Sequence, residues 1–374
     1  MAPFLPRAKD VAKTLILFGT GLAIMVLVGA LLFAWSGVYN VAASRGHFAF
    51  TRWFLEFGMR NSVEFHASAI EAPPLDDPAL FERGARHFQG GCAPCHGATH
   101  VPPSAVAQQM LPAPPDLARS VSKWRPRELF WITKHGLKYT GMPAWPAANR
   151  EDEVWAVVAF LVRLPQLDAE EYRRVALNNR STSETAHGLA VVGLAAGDPV
   201  ACARCHGDDG QGGEAGGIPR IAGQKVEYLA MTMSDFAQGI RPSGMMGPVA
   251  SFLSEKERRT LSDYYAALPT DGPRPDRARA DSDLLALGAG IATGGVPPIP
   301  ACESCHGPNG TAEGKDPRFP ALAGQHAAYL EQQLKLWRAK ARGGRLGEIM
   351  SAAVAKITDE QIRAVSLYYA RAGE

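Results

Sequence analysis

Hydrophobic and polar positions follow three regimes along the chain. Residues 15–35 are an unbroken apolar run. As a helix, 21 residues rising 1.5 Å each span roughly 30 Å, the thickness of a bilayer's hydrocarbon core. Phe50, Trp53, Phe54 and Phe57 then recur at i, i+3, i+4, i+7, which places them on one helical face. Beyond residue 77 the pattern is of short amphipathic helices between Gly- and Pro-rich turns. Asp77-Pro78 reads as an N-cap and first helical position, and Gly84 and Phe88 lie one turn apart on the helix that follows. A helix is predicted over 151–164, rich in Trp155, Val158, Phe160 and Leu161 and stopped at Pro165. Ser254-Glu-Lys-Glu257 and Thr358-Asp-Glu-Gln361 are capping boxes, each opening a helix that carries a Tyr-Tyr pair. The pattern predicts a mainly α fold.

The punctuation divides the chain. Residues 1–44 read as an N-terminal membrane anchor and 45–76 as an amphipathic and linker segment, with a Pro-rich hinge at 71–78. Three domains are expected, at 77–165, 184–270 and 283–374. The Pro- and charge-rich stretch 271–281 reads as a solvated connector. Domains two and three repeat one another. Pro219-Arg-Ile-Ala-Gly-Gln224 matches Pro320-Ala-Leu-Ala-Gly-Gln325, each followed by a tyrosine, Tyr228 and Tyr329.

Arg7, Lys9 and Lys13 precede the apolar run, which places the N-terminus in the cytoplasm and the rest of the chain outside. Trp35 and Tyr39 read as anchors at the far interface. The run is longer than a secretory h-region, which favours a retained helix, although Val41-Ala42-Ala43 offers a cleavage site for a removed signal. The aromatic face at 50–57 has two readings, a helix lying on the membrane surface or a helix packed on the first domain. His47 and His66 read as ordinary surface or packing histidines rather than metal ligands.

Charge excludes one class. With 39 Lys and Arg against 37 Asp and Glu, nothing marks a nucleic-acid partner. The six cysteines change the picture most. They form Cys92-Ala-Pro-Cys95-His96, Cys202-Ala-Arg-Cys205-His206 and Cys302-Glu-Ser-Cys305-His306. C-x-x-C-H attaches c-type haem: two thiols form thioethers, and the adjacent imidazole is the proximal iron ligand. A zinc site would need further paired ligands, and no second C-x-x-C accompanies any of the three. Three covalently bound haems c are therefore expected, with no cysteine left for a disulfide.

Methionine opposite histidine suits electron transfer. Met142 lies in Thr140-Gly-Met-Pro-Ala-Trp145, and Met350 is the last methionine of the chain. Met245 and Met246 compete in domain two. Aligning Leu253-Ser254 with Ile357-Thr358 sets Met246 over Met350 and selects it. All three are expected in Gly-containing loops before the closing helices. Pro115-Asp-Leu117, Pro219-Arg-Ile221 and Pro320-Ala-Leu322 follow the three histidines at similar distances. A backbone carbonyl there is expected to accept the Nδ1 proton of each histidine.

C-x-x-C-H, then P-x-L, then a methionine, then a closing helix resembles the class I cytochrome c module. Residues 184–374 resemble the two-domain cytochrome c4 arrangement, and 77–165 a separate single-haem class I domain. The whole resembles membrane-anchored multihaem cytochromes of proteobacterial respiratory chains. That resemblance implies a single-pass inner-membrane protein with periplasmic haem domains and no catalytic residue of its own. It implies a quinol-oxidising complex or dehydrogenase as donor and a terminal oxidase as acceptor. The alternative is a cytochrome subunit of a membrane-bound alcohol or sugar-acid dehydrogenase complex.

Overall fold

A computed structural model describes residues 8–99, 101–178, 199–270 and 281–372. Arg7, the expected start of domain two at 184 and the connector at 271–280 lie outside the described residues. No strand forms among those described, only two isolated antiparallel bridges, Ala98–Val101 and Val296–Ile299. The fold is mainly α, of the class I cytochrome kind. Residues 1–52 form one compact unit and 53–374 a second.

In the first unit, α1 (Ala8–Trp35) contains the apolar span Val11–Trp35, with mean hydropathy 2.6 and every residue of it exposed. Such a fully exposed apolar surface is what a helix whose solvent is lipid would present. The Tyr39 hydroxyl meets His47 Nδ1 at 2.5 Å, and Tyr39 packs edge-on against Phe48.

The second unit begins within α2 (Ala49–Ala67), where Val63 and Ala67 are buried and Trp53, Phe54 and Phe57 are exposed. Helix α3 (Pro78–Gly91) starts where its sequence predicts, with the Asp77 carboxylate accepting from the Ala79 amide at 2.9 Å. It is followed by α4 (Ala93–His96) and α5 (Pro126–His135), and it packs across α6 (Glu151–Arg163). Gly84 makes the crossing of α3 and α6 possible, since a Cβ there would lie 1.9 Å from the Ala156 carbonyl oxygen. Phe88 and Phe160 are fully buried with ring centroids 5.0 Å apart, and Phe130 stacks on Trp155 at 4.2 Å. Each such ring contributes on the order of 1.5–3 kcal/mol by leaving water. The core does not end at residue 165. Helix α7 (Ala169–Leu177) supplies Tyr172, Val175 and Leu177 to the same cluster, and Leu167 joins them.

In the middle segment, α8 (Pro199–His206) precedes α9 (Val226–Ala237), which packs against α10 (Met246–Ser251) and α11 (Glu255–Ala266). The last segment repeats this plan with α12 (Ser282–Gly294), α13 (Glu303–His306), α14 (Ala327–Arg338), α15 (Gly347–Ala353) and α16 (Asp359–Arg371). Its core is Ile291, Leu330, Ile362, Val365 and Tyr369. Both predicted capping boxes form, at Ser254/Glu257 and Thr358/Gln361. The two repeats meet through exchanged amides. Gln325 pairs with both backbone groups of Arg220, at 3.0 and 2.8 Å, and Gln224 pairs with both of Ala321, at 3.1 and 2.8 Å.

Candidate haem sites

Each C-x-x-C-H motif folds as one helical turn. The two cysteines lie three residues apart on it, and the histidine follows at its end. Glycine comes next in every case, with φ of 72° at Gly97, 79° at Gly207 and 74° at Gly307. A side chain is strained in that region, so glycine lets the chain turn away from the imidazole. None of the six cysteines is in a disulfide, and all are partly buried. Burial pushes the Cys92 thiol up to about 12 and the Cys302 thiol to about 11. Among the described residues no cluster of three or more His, Cys, Asp or Glu stands ready to hold a metal ion.

The expected carbonyl acceptors are in place. Nδ1 of His96, His206 and His306 lies 2.9, 3.1 and 3.0 Å from the carbonyl oxygens of Pro115, Pro219 and Pro320. A carbonyl only accepts, so each Nδ1 carries the proton. That leaves the Nε2 lone pair for a metal. Burial pushes all three imidazoles down from their ordinary pKa, while the bond to the proline carbonyl pulls the other way. Neutral imidazole with a free Nε2 is the form that ligates iron.

The methionines are placed less uniformly than their sequence context suggests. Met142 lies in an irregular loop, where its amide donates to the Thr140 hydroxyl at 3.1 Å and its carbonyl accepts from Leu137 at 3.2 Å. Met246 and Met350 are on short helices, not loops: Met246 opens α10 and Met350 lies within α15. The residues after each Gly-containing turn are good helix formers or are capped. Ser243 Oγ accepts from both the Met245 and Met246 amides, at 3.2 and 2.9 Å. Met350 and Cys302 pack against the same core cluster. Met245 packs against the first-domain cluster, as do Cys92 and Trp145. The two histidines read as packing groups have aromatic company: His66 stacks on Trp131 at 5.7 Å, and His47 meets Tyr39.

The donor set fits haem c, and two buried cations between the repeats suit an anionic group. Arg241 and Arg342 are 8% and 6% exposed. Arg241 Nη2 donates to the Tyr329 hydroxyl at 3.2 Å and to Gln333 Oε1 at 3.3 Å, and Arg342 Nε donates to the same Gln333 oxygen at 2.5 Å. Arg241 Nε has no partner. Burial, and then the Arg241 charge, lower the Arg342 guanidinium to about 10. The two buried cations share the Gln333 oxygen and otherwise meet tyrosine hydroxyls, so an anion such as a haem carboxylate would suit them.

Sequence reasoning missed a second set of buried polar residues, on α3 and α6. Glu82 accepts from the Ala215 amide, Arg86 donates to the Val175 and Arg204 carbonyls, and Arg150 donates to the Pro242 carbonyl. In the sequence they resemble the charged, solvated face of an amphipathic helix. Their burial comes from the neighbouring segment, which no local pattern announces.

Comparison with known proteins agrees with this chemistry. Residues 79–161 match the family described as cytochrome c oxidase, cbb3-type, subunit III, and residues 299–370 match the cytochrome c family. The chain is similar to a thiosulfate dehydrogenase electron acceptor from Thiomonas intermedia (strain K12), 39% identical over 177 residues, which are 46% of this chain and 79% of that protein. It is similar to a cytochrome c4 from Thiocapsa roseopersicina, 37% identical over 184 residues, 46% of this chain and 91% of that one. Among solved structures, thiosulfate dehydrogenase from Marichromatium purpuratum is 37% identical with a TM-score of 0.42, covering 50% of this chain and 39% of that one.

Proposed function

This chain belongs to the c4-like multihaem c-type cytochromes, which are electron-transfer proteins, and from that premise we propose that it is a three-haem carrier tethered to the membrane. The observation that carries the count is the threefold recurrence of one geometry: two thiols and an imidazole on a single turn, with Nδ1 fixed by a proline carbonyl at 2.9–3.1 Å. His96, His206 and His306 are the proximal ligands. Met142, Met246 and Met350 are the distal ligands. Met245 is engaged with the first-domain core, which supports Met246 as the ligand of the second domain.

Bound haem supplies the one-electron chemistry. The chain supplies thioether attachment, the tautomer of each imidazole, burial, and cations for the haem carboxylates. The apolar helix Val11–Trp35 supports membrane anchoring, with the haem domains on the periplasmic side. The membrane-surface reading of the aromatic face is favoured by exposure: Trp53, Phe54 and Phe57 are open to solvent, whereas Val63 and Ala67, further along the helix, are buried.

A terminal oxidase is the acceptor we favour, supported by the family to which residues 79–161 are similar. A second reading has its own observation. A relative bears the name thiosulfate dehydrogenase electron acceptor, which supports a dehydrogenase of sulfur oxyanions as the donor. The test is a pyridine haemochrome count of haem on the purified full chain, together with absorption spectra of the native oxidised protein with Met142, Met246 and Met350 substituted one at a time. We expect three haems per chain and the loss of one methionine–iron absorption band per substitution. Fewer than three haems, or a Met245 substitution that removes a band, refutes the assignment.

A further inference from the structure

We propose that Glu153 is a positioning residue that fastens the methionine loop of the first domain, 137–145, to that of the second, 241–247. The inference rests on the methionine ligation proposed above. Glu153 lies in the first turn of α6 and is 2% exposed. Its Oε1 accepts from Ser243 Oγ at 2.6 Å and pairs with Arg150 Nη2 at 3.0 Å. Its Oε2 accepts from the Gly244 amide at 2.6 Å and from Trp145 Nε1 at 3.2 Å. One carboxylate therefore holds the end of the first loop and the middle of the second.

Each loop passes the constraint on toward its methionine. Ser243 Oγ, while donating to Glu153, accepts from the Met246 amide at 2.9 Å. Trp145 is three residues beyond Met142, and its amide is tied to the Lys134 carbonyl at 3.0 Å. The two loops also touch directly. A Cβ on Gly244 would lie 2.2 Å from Trp145 Nε1, so the indole lies flat against backbone that only glycine can present. On its other side Trp145 meets the ring of His87, edge to face, at 4.9 Å. A buried carboxylate with every donor engaged is rigid, and removing one donor leaves a desolvated charge short of a partner. The two loops can open together more easily than either can open alone.

The coupling is tested by hydrogen exchange, read by mass spectrometry, on the haem-loaded full chain in detergent. Trp145→Phe removes one donor from the first loop and no bond internal to 241–247. Exchange in 241–247 is nevertheless expected to rise, on the order of threefold. Glu153→Ala is expected to raise exchange in both loops by about tenfold, the factor for losing a hydrogen bond to a buried charge. It is also expected to weaken two of the three methionine–iron bands and leave the third. Glu153→Gln retains an acceptor, folds if the alanine variant does not, and is expected to give an intermediate rise in both loops. A glutamate that merely stabilised its own helix would raise exchange in α6 and not across the junction. If 241–247 is indifferent to Trp145→Phe, or if only one loop responds to Glu153→Gln, the proposal is overturned. If both loops respond but the wild-type chain has no methionine–iron band, the fastening stands and the ligand assignment fails.

Discussion

Two glycines two residues apart on α12 make opposed predictions. Gly288 is buried where α12 crosses α16, and a Cβ built on it would lie 2.2 Å from the Ala364 carbonyl oxygen and 2.9 Å from Tyr368 Cβ. The nearest obstacle is backbone, so the methyl group of Gly288→Ala fits only if one helix moves by about an ångström. Overpacking of this kind costs about 1–3 kcal/mol. Replacing glycine by alanine inside a helix returns up to about 1 kcal/mol. The clash wins, and the expected net loss is roughly 1–2 kcal/mol. Gly290 has nothing within 4 Å of its virtual Cβ. There the propensity term stands alone, and Gly290→Ala is expected to stabilise by about 0.5–1 kcal/mol. The assay is native-state hydrogen exchange of α12 and α16 in the haem-loaded full chain, which isolates this segment from the rest. Protection should fall for Gly288→Ala and rise or hold for Gly290→Ala. If both rise, the crossing is looser than 2.2 Å implies and the reasoning fails.

Other consequences follow from the caps, the half-buried His87 and the exposed helix. Burial, and then the Arg204 charge, lower His87 to about 4. The unfolded chain therefore takes up this proton first as pH falls. The contribution of the neutral ring, up to about 3 kcal/mol, is complete above pH 6.5 and is lost through the window from 6.5 to 4. Denaturant unfolding at pH 7 and pH 4.5 should show this slope in the native chain, and His87→Phe should flatten it. Thr358→Ala and Ser254→Ala each remove a capping hydroxyl and should cost about 1 kcal/mol, read as reduced protection of α16 or α11 alone. A photoactivatable lipid should label 53–57 as well as 11–35 in the full chain in vesicles. Label confined to 11–35 would remove α2 from the membrane surface.

What the sequence made legible was whatever short-range chemistry determines. The Asp77 cap, the capping boxes at Ser254 and Thr358 and the proline carbonyls behind His96, His206 and His306 are all local geometries, and all form as read. What stayed hidden depends on contacts distant in sequence. Helix α7 follows a helix-stopping proline, in a stretch that the sequence pattern assigns to no domain, yet Tyr172 and Leu177 complete the first core. Glu153 opens α6 in an acidic first turn that complements the helix dipole. Only the approach of Ser243 and Gly244, some 90 residues on, turns it from a solvated charge into a buried one. The short helices at Met246 and Met350 lie between turns, and a glycine count alone assigns them to loop.

The exchange of glutamine amides between the repeats has a historical consequence. Gln224 does to Ala321 what Gln325 does to Arg220, with matching partners and nearly equal distances. This is the kind of self-complementary contact that a twofold homodimer makes, in which one patch serves both subunits, here made within one chain. In a true homodimer any substitution appears twice, and both sites must change together. Joined in one chain, the halves are free to differ, and Met245-Met246 on one side against Met350 alone on the other shows that they have. The seam is symmetric, while the methionine segments on either side of it are not.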